Sequence, residues 1–194
     1  MKKILALVLA LALVFAMTAS AVAEAKPYIA IVSKGFQHQF WQTVNLGAQE
    51  AAAKYNVDIN FIGPASESEI QVQIDMLNAE LAKNPKAICL AALDTESVTE
   101  QLLSAKEKGI PVIGFDSGVP NAPEGTIAST ASTNNEAAGA LAAEQMFAIP
   151  EVKAAIEAAT PEAPIILGAM SQDATSASVV GRTVGYLDKM WELI

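Results

Sequence analysis

The stretch "YIAIVSKGFQHQFWQTVNLGAQEAAAKYNVDINFI", residues 28–62, decides the fold. Its first six residues are mostly apolar and rich in β-branched side chains, which predicts a strand buried on both faces. "VDINFI", residues 57–62, predicts a second strand. Between them, apolar residues recur at helical spacing, at Phe40, Val44, Ala48, Ala51 and Tyr55. Strand, helix and strand in this order predict two parallel strands joined by a right-handed crossover.

The same alternation continues along the chain. Further strands are predicted at residues 87–93, 111–115, 126–130 and 163–170, and helices at 70–81, 98–108, 135–147, 151–159 and 176–191. Strands separated by helices require a parallel sheet with helices on both faces. The predicted fold class is therefore α/β, with a doubly wound parallel sheet.

Residues 1–23 have the pattern of a secretory signal peptide. Lys2 and Lys3 precede an uncharged run over residues 4–22, and small residues at 19–23 offer cleavage sites. We therefore expect a periplasmic or extracellular protein, with no membrane insertion after cleavage. An uncleaved membrane anchor is the alternative, because the run is long enough to span a bilayer.

Charge and composition exclude several classes of function. The formal charge of −9 becomes −11 once the two leader lysines are removed, which argues against nucleic-acid binding. Cys89 is the only cysteine and His38 the only histidine, so the sequence predicts no disulfide and no metal site. The loop after the first strand lacks the glycine spacing that cradles a pyrophosphate, and no P-loop occurs, so we expect no cofactor.

Ligands of open parallel sheets bind beyond the carboxyl ends of the strands, so the residues that follow each strand are candidates. Trp41 follows the first strand but lies outside the apolar stripe of its helix, which favours stacking on a ring-shaped ligand at the mouth of the sheet. Asp116 and Ser117 follow the fourth strand, and Thr133 follows the fifth. The Asp116 carboxylate can accept two hydrogen bonds from vicinal hydroxyls or an amine. An Asx turn is the alternative role for this aspartate.

Several segments resemble, in order, the periplasmic sugar-binding proteins of ABC importers, in the ribose-binding-like branch of the type I periplasmic binding proteins. The most specific are "GIPVIGFDSG", residues 109–118, and "RTVGY", residues 182–186. The resemblance implies two similar α/β lobes with a sugar held between them. It places the first lobe at residues 26–132 and the start of a second, incomplete lobe at 133–194.

The resemblance also implies roles for individual residues. Phe40 and Trp41 would stack on the sugar ring, and Gln37 or His38 would bond its hydroxyls, although this loop is one residue longer than usual in the family. Arg182 would donate to sugar oxygens, with Tyr186 as its accompanying aromatic residue. The family pattern often places an arginine where this chain has Ser117, so ribose itself is not specifically implied. The sequence ends at Ile194, one helix into the second lobe, and we therefore expect a truncated protein. The alternative is that a partner supplies the missing half.

The function that the resemblance implies is capture of a monosaccharide or polyol and its delivery to the membrane permease of an ABC importer. No enzymatic activity is expected, because the G-x-S-x-G sequence of a nucleophile elbow is absent. Two alternatives stay open. One is a ligand sensor for a chemoreceptor or sensor kinase, and the other is a secreted α/β hydrolase that uses Asp116 or His38.

Overall fold

A computed structural model describes residues 25–194, so the predicted signal peptide lies outside the described residues. The strands are β1 (Tyr28–Val32), β2 (Asp58–Ile62), β3 (Ala87–Leu90), β4 (Val112–Phe115) and β5 (Ser129–Ala131). The helices are α1 (Gln39–Tyr55), α2 (Ile70–Ala82), α3 (Thr99–Glu107), α4 (Asn135–Phe147), α5 (Pro150–Glu157) and α6 (Ala177–Leu193). Among residues 25–194, no helix has both the length and the apolar character that crossing a bilayer requires.

The five strands form one parallel sheet in the order β2-β1-β3-β4-β5. The chain moves outward from β1 to one edge and then crosses to the other side of β1, which is the doubly wound arrangement that the alternation predicts. The predicted fold class is confirmed. The order also fixes the positions of the loops, since those after β1 and β2 lie toward one edge of the sheet and those after β4 and β5 toward the other.

The main core lies between the sheet and helices α2 and α3. It contains fully buried apolar side chains from strands and helices, including Val32, Leu77, Ile88, Leu90 and Leu102. Burying each such side chain contributes about 1.5–3 kcal/mol, so this layer supplies most of the stability of the sheet.

The opposite face of the sheet is covered more loosely. Helix α1 lies over it, and an apolar cavity of about 640 Å³ separates the helix from the strands, with Ile31, Ala48 and Phe115 among its lining residues. The thiol of Cys89 also lies in this cavity, and burial raises its pKa. A thiol whose pKa is raised is a poor nucleophile, in keeping with a packing role for this cysteine.

A buried carboxylate joins α2 to the edge of the sheet. The Glu80 carboxylate accepts hydrogen bonds from the hydroxyl of Tyr28, the amide of Asn60 and the ammonium of Lys83. Burial alone would raise the pKa of Glu80, but these three donors outweigh it and hold the pKa below its usual value. Burial, together with the neighbouring Glu80, raises the pKa of Tyr28 to about 12.

The remainder of the chain packs mainly as a pair of parallel helices. Gly139 on α4 faces the backbone of α6, and Gly185 on α6 faces the backbone of α4, so closely that a Cβ atom at either position would overlap a carbonyl oxygen. The strand predicted at residues 163–170 is wrong, because this segment runs between α5 and α6 without joining any described sheet. Its side chains are largely exposed, and Ile166 is 91% exposed.

Candidate functional site

The candidate site lies at the carboxyl end of the sheet, where loops after three strands meet the beginning of α6. The loops are residues 33–38 after β1, residues 63–69 after β2 and residues 116–118 after β4. Residues 172–178, which lead into α6, contact all three loops through hydrogen bonds. We call these four segments, together with Phe40 and Trp41 in the first turn of α1, the rim.

A buried lysine is the centre of the rim. The ammonium of Lys34 lies 3.2 Å from a carboxylate oxygen of Asp116 and 3.7 Å from one of Glu67, and it donates a hydrogen bond of 3.1 Å to Ser178 Oγ. Its side chain is only 5% exposed, and those of the two acids are 17% and 21% exposed. One ammonium therefore serves two carboxylates in a partly desolvated space, where charge interactions are stronger than at the surface.

The exposure of the two aromatic residues, Phe40 and Trp41, is the opposite of the prediction. Trp41 is 1% exposed and Phe40 is 47% exposed, whereas the stripe had placed Phe40 inward and Trp41 at the open mouth. Helix α1 begins at Gln39, and side chains near a helix start lean back over the preceding loop. The indole of Trp41 accordingly covers Gly35, and its Nε1 donates a 2.7 Å hydrogen bond to Glu67 Oε1. The Phe40 ring meets the Trp41 ring edge-on, with centroids 4.8 Å apart.

Asp116 and Ser117 are held in fixed positions after β4. Asp116 has a φ of +54°, a left-handed conformation that costs free energy in a residue other than glycine and recurs at functional sites. Its Oδ2 is enclosed but forms no hydrogen bond among the described residues, although it lies near the Lys34 ammonium. The Ser117 hydroxyl is buried, donates to Ser178 Oγ at 3.1 Å and accepts from the Ser178 amide at 3.1 Å.

Gln37 and His38 line a separate hollow of about 610 Å³, which we call the outer cavity. It is bounded by residues 35–38, residues 65–68 with Ile70, and residues 172–175. His38 is also the N-cap of α1, because its Nδ1 accepts a 3.1 Å hydrogen bond from the amide of Phe40. This bond uses Nδ1 and does not involve Nε2.

The other two predicted site residues lie apart from this group. Thr133 is exposed and lines a smaller hollow of about 370 Å³ next to the start of α4. Arg182 is exposed on α6, and within residues 25–194 its guanidinium forms no ion pair or hydrogen bond. The structure thus brings Trp41, Asp116 and Ser117 together, and places Gln37 and His38 beside them.

Three residues of the rim were missed by the sequence analysis. Lys34, Glu67 and Ser178 were not among the candidate residues. The rule that ligands bind beyond strand ends applies equally to β2, so it would have indicated the segment that carries Glu67. No comparable signal marks Lys34, because a lone lysine after a strand is usually exposed.

The polar groups of the rim are of the kinds that bind small molecules. Among residues 25–194, no group of three or more histidine, cysteine or acidic side chains is arranged to hold a metal ion. Within the same residues, the His38 ring accepts a hydrogen bond from the backbone amide of Phe40 and forms none with a serine hydroxyl or the thiol. Carboxylates, hydroxyls and an ammonium beside an aromatic ring are the mixture that binds hydroxylated small molecules.

Comparison with known proteins agrees with this chemistry. A 44% identical structure, an ABC transporter, LacI family transcriptional regulator from Brachyspira murdochii, superposes with a TM-score of 0.74 over 87% of this chain and 52% of its own. An ABC transporter solute binding protein from Agrobacterium vitis with bound D-fucose is 30% identical, with a TM-score of 0.72 over 85% of this chain and 53% of its own. The D-allose-binding periplasmic protein of Escherichia coli is 25% identical over 115 residues, which are 57% of this chain and 37% of that protein.

The chain thus spans about half the length of the solved structures it matches and about a third of the D-allose-binding protein. The family model described as a periplasmic binding protein domain matches residues 29–177. This match begins in β1 and ends at the first residue of α6, so it covers nearly all of the sheet and of the rim. The chain belongs to the periplasmic binding protein family.

Proposed function

We propose that this chain is the sugar-capturing part of a secreted solute-binding protein that serves the membrane permease of an ABC importer. The observation that carries the proposal is a series of three largely buried contacts at the carboxyl end of the sheet. They join Trp41 to Glu67, Glu67 to Lys34 and Lys34 to Asp116. Family membership supports it, as do relatives whose descriptions name bound or transported sugars. Secretion and a periplasmic or extracellular location belong to the same proposal.

The proposed cleft lies between two units. Residues 26–132 form the first lobe, with the five-stranded sheet, and residues 133–194 begin a second. Support comes from the contacts that residues 172–178 make with the first lobe. Ser178 bonds Lys34 and Ser117, and Thr175 donates to the carbonyl of Leu93 at 3.0 Å. A ligand between the units would replace these contacts with its own.

The proposed mechanism is non-covalent. The Lys34 ammonium lies 3.2 Å from the Asp116 carboxylate and 6.0 Å from the centroid of the Trp41 ring, and it bonds Ser178. In this proposal a sugar reaches Trp41 and Asp116 when residues 172–178 move away from the loops after β1, β2 and β4. The Asp116 carboxylate would then accept hydrogen bonds from ring hydroxyls, the Lys34 ammonium would donate to ring oxygens, and the aromatic pair would cover the apolar face of the ring. A ligand that contacts both units stabilises the closed arrangement, and a permease that recognises this arrangement responds to the ligand.

Tryptophan fluorescence tests the proposal directly. Trp41 and Trp191 are the only tryptophans, so Trp191→Phe leaves a reporter within the rim. In that background, titration with a panel of pentoses, hexoses and polyols should change the Trp41 emission for at least one sugar. Asp116→Ala should weaken that binding by about tenfold or more, since a hydrogen bond to a charged group contributes roughly 1.5–3 kcal/mol.

The matched control is Asp58→Ala, because Asp58 is an exposed aspartate at the opposite end of the sheet. It should leave the affinity unchanged. If no sugar in the panel changes the emission or gives heat in calorimetry, the assignment to sugars is wrong. If Asp116→Ala and Asp58→Ala behave alike, the site is elsewhere on the molecule.

A further inference from the structure

The outer cavity shares Glu67 with the contacts that carry the proposed function, but its other lining residues are not among those contacts. It follows β1 and β2, toward the edge of the sheet formed by β2, whereas Asp116 follows β4 on the other side of β1. Its volume of about 610 Å³ is well within the range of small-molecule pockets, roughly 300–1,000 Å³.

Glu67 lines the outer cavity and also bonds Trp41 and pairs with Lys34. Its Oε1 accepts from Trp41 Nε1 at 2.7 Å, and its Oε2 accepts from Gln172 Nε2 at 3.0 Å. The same carboxylate lies 3.7 Å from the Lys34 ammonium and also lines the outer cavity. A ligand group in the cavity would therefore contact the residue that supports Trp41.

One segment of the chain borders the outer cavity and also contacts Lys34 and Ser117. Residues 172–175 close the outer cavity, and residues 175–178 continue into the contacts with Lys34 and Ser117. Movement of this single segment would expose the lining of the outer cavity and the contacts of Lys34 at once.

The lining of the outer cavity suits a neutral, hydroxylated ring. No lysine or arginine is among its lining residues, and two carboxylates, those of Glu67 and Asp173, are. An anionic group would therefore meet two like charges with no cation facing it. Neutral hydrogen-bonding groups come from Gln37 and His38, and the partly exposed ring of Phe36 offers an apolar face.

We infer that the outer cavity is a second sugar subsite, and that the ligand is a neutral saccharide of at least two rings. One ring lies at Trp41 and Asp116, and the next lies between Phe36 and Glu67. This inference rests on the proposed function and adds the length and charge of the ligand.

Calorimetry with matched sugars tests the inference. The purified chain is titrated with glucose and galactose, with the neutral disaccharides maltose, cellobiose and lactose, and with a disaccharide in which one ring is a uronic acid. We expect at least one neutral disaccharide to bind about tenfold or more tightly than its component monosaccharides, because a second ring adds contacts without a second association cost. The uronic-acid disaccharide should bind at least about tenfold more weakly than its neutral counterpart.

The decisive variant is Ala65→Phe, which fills the outer cavity without removing a side-chain hydrogen bond. It should reduce the preference for the disaccharide over the monosaccharide to about onefold. Ala53→Phe is the control, because Ala53 is an exposed alanine on α1 that lines neither the rim nor the cavity. It should leave the preference intact.

The outcomes separate the inference from the proposed function. Monosaccharides that bind as tightly as every disaccharide would overturn the second subsite and leave sugar capture standing. A preference that survives Ala65→Phe would overturn the location of the subsite, and equal binding of the uronic-acid disaccharide would overturn the charge argument. If no saccharide binds at all, the proposed function fails, and the inference fails with it.

Discussion

Replacement of Lys34 by methionine tests whether the buried ammonium holds the rim together. The methionine side chain would keep the apolar stem but leave the carboxylates of Glu67 and Asp116 facing each other without a cation. Breaking a buried pair by removing one partner costs about 3–5 kcal/mol. The two acids remain 21% and 17% exposed, and Glu67 keeps the Trp41 and Gln172 donors, so we expect a loss of about 2–4 kcal/mol.

A double-mutant cycle isolates the charge interaction from the loss of packing. Asp116→Asn removes one of the two carboxylate charges, and in the Lys34→Met background it should restore part of the lost stability. We expect a coupling free energy of at least about 1 kcal/mol between the two substitutions. Lys153→Met is the control, because Lys153 pairs with Glu157 at the surface with a side chain that is 50% exposed, and it should change stability by less than about 0.5 kcal/mol.

Urea unfolding followed by circular dichroism measures all four free energies, and thermal unfolding provides a second measurement. For a protein of this size, a loss of about 2–4 kcal/mol corresponds to a fall in Tm of about 5–15 °C. The reasoning is refuted if Lys34→Met unfolds within about 0.5 kcal/mol of the unsubstituted chain, or if the costs of the two substitutions simply add. Either result would mean that the ammonium is solvated in solution and does not pair with the acids.

Three further predictions concern other parts of the molecule. The pKa of Glu80 is lowered in the folded state, so the stability that its carboxylate contributes is complete above about pH 4.5. This contribution is lost as the pH falls through the pKa that Glu80 has in the folded state. Glu80→Gln should therefore flatten the acid side of a plot of unfolding free energy against pH. Gly185→Ala should destabilise the chain by about 2–3 kcal/mol in urea unfolding, because the added Cβ would overlap the backbone of α4. Gly47→Ala is the matched control, because the space around its added Cβ is open, and it should stabilise the chain by about 0.5–1 kcal/mol. Trp41→Phe removes the donor to Glu67 and should cost about 1–3 kcal/mol in the same assay, and a cost equal to zero would mean that this hydrogen bond is not formed.

The fold was predictable to the extent that it depends on local periodicity. Residues 28–62 specify a strand, a helix and a strand by their apolar spacing alone, and β1, α1 and β2 begin within two residues of the predicted positions. Residues 163–170 have the same apolar character but do not form a strand. A strand needs a partner to satisfy its amide and carbonyl groups, and that requirement cannot be read from the segment itself.

The site was predictable where it depends on topology and unpredictable where it depends on side-chain direction. The position of Asp116 after β4 follows from the sheet, and the rim does contain it. The burial of Trp41 and the exposure of Phe40 follow from where α1 begins, and a shift of one residue rotates a helical side chain by about 100°. The burial of Lys34 depends on two acids that arrive from other loops, so no local pattern could reveal it.

The hydrogen bonds within the rim would compete with the contacts of a bound ligand. Ser178 bonds both Lys34 and Ser117, and Gln172 bonds Glu67, so these contacts use Lys34 and Glu67, which the proposals above assign to the ligand. Under the proposed function, the affinity is therefore the difference between the contacts of the ligand and those it replaces, and a count of ligand contacts alone overestimates it. Selectivity would follow from the same difference, because a ligand that displaces Gln172 without offering a donor leaves a Glu67 oxygen without its partner. Under that proposal, the site discriminates sugars by the number and placement of their hydroxyl donors more than by their apolar area.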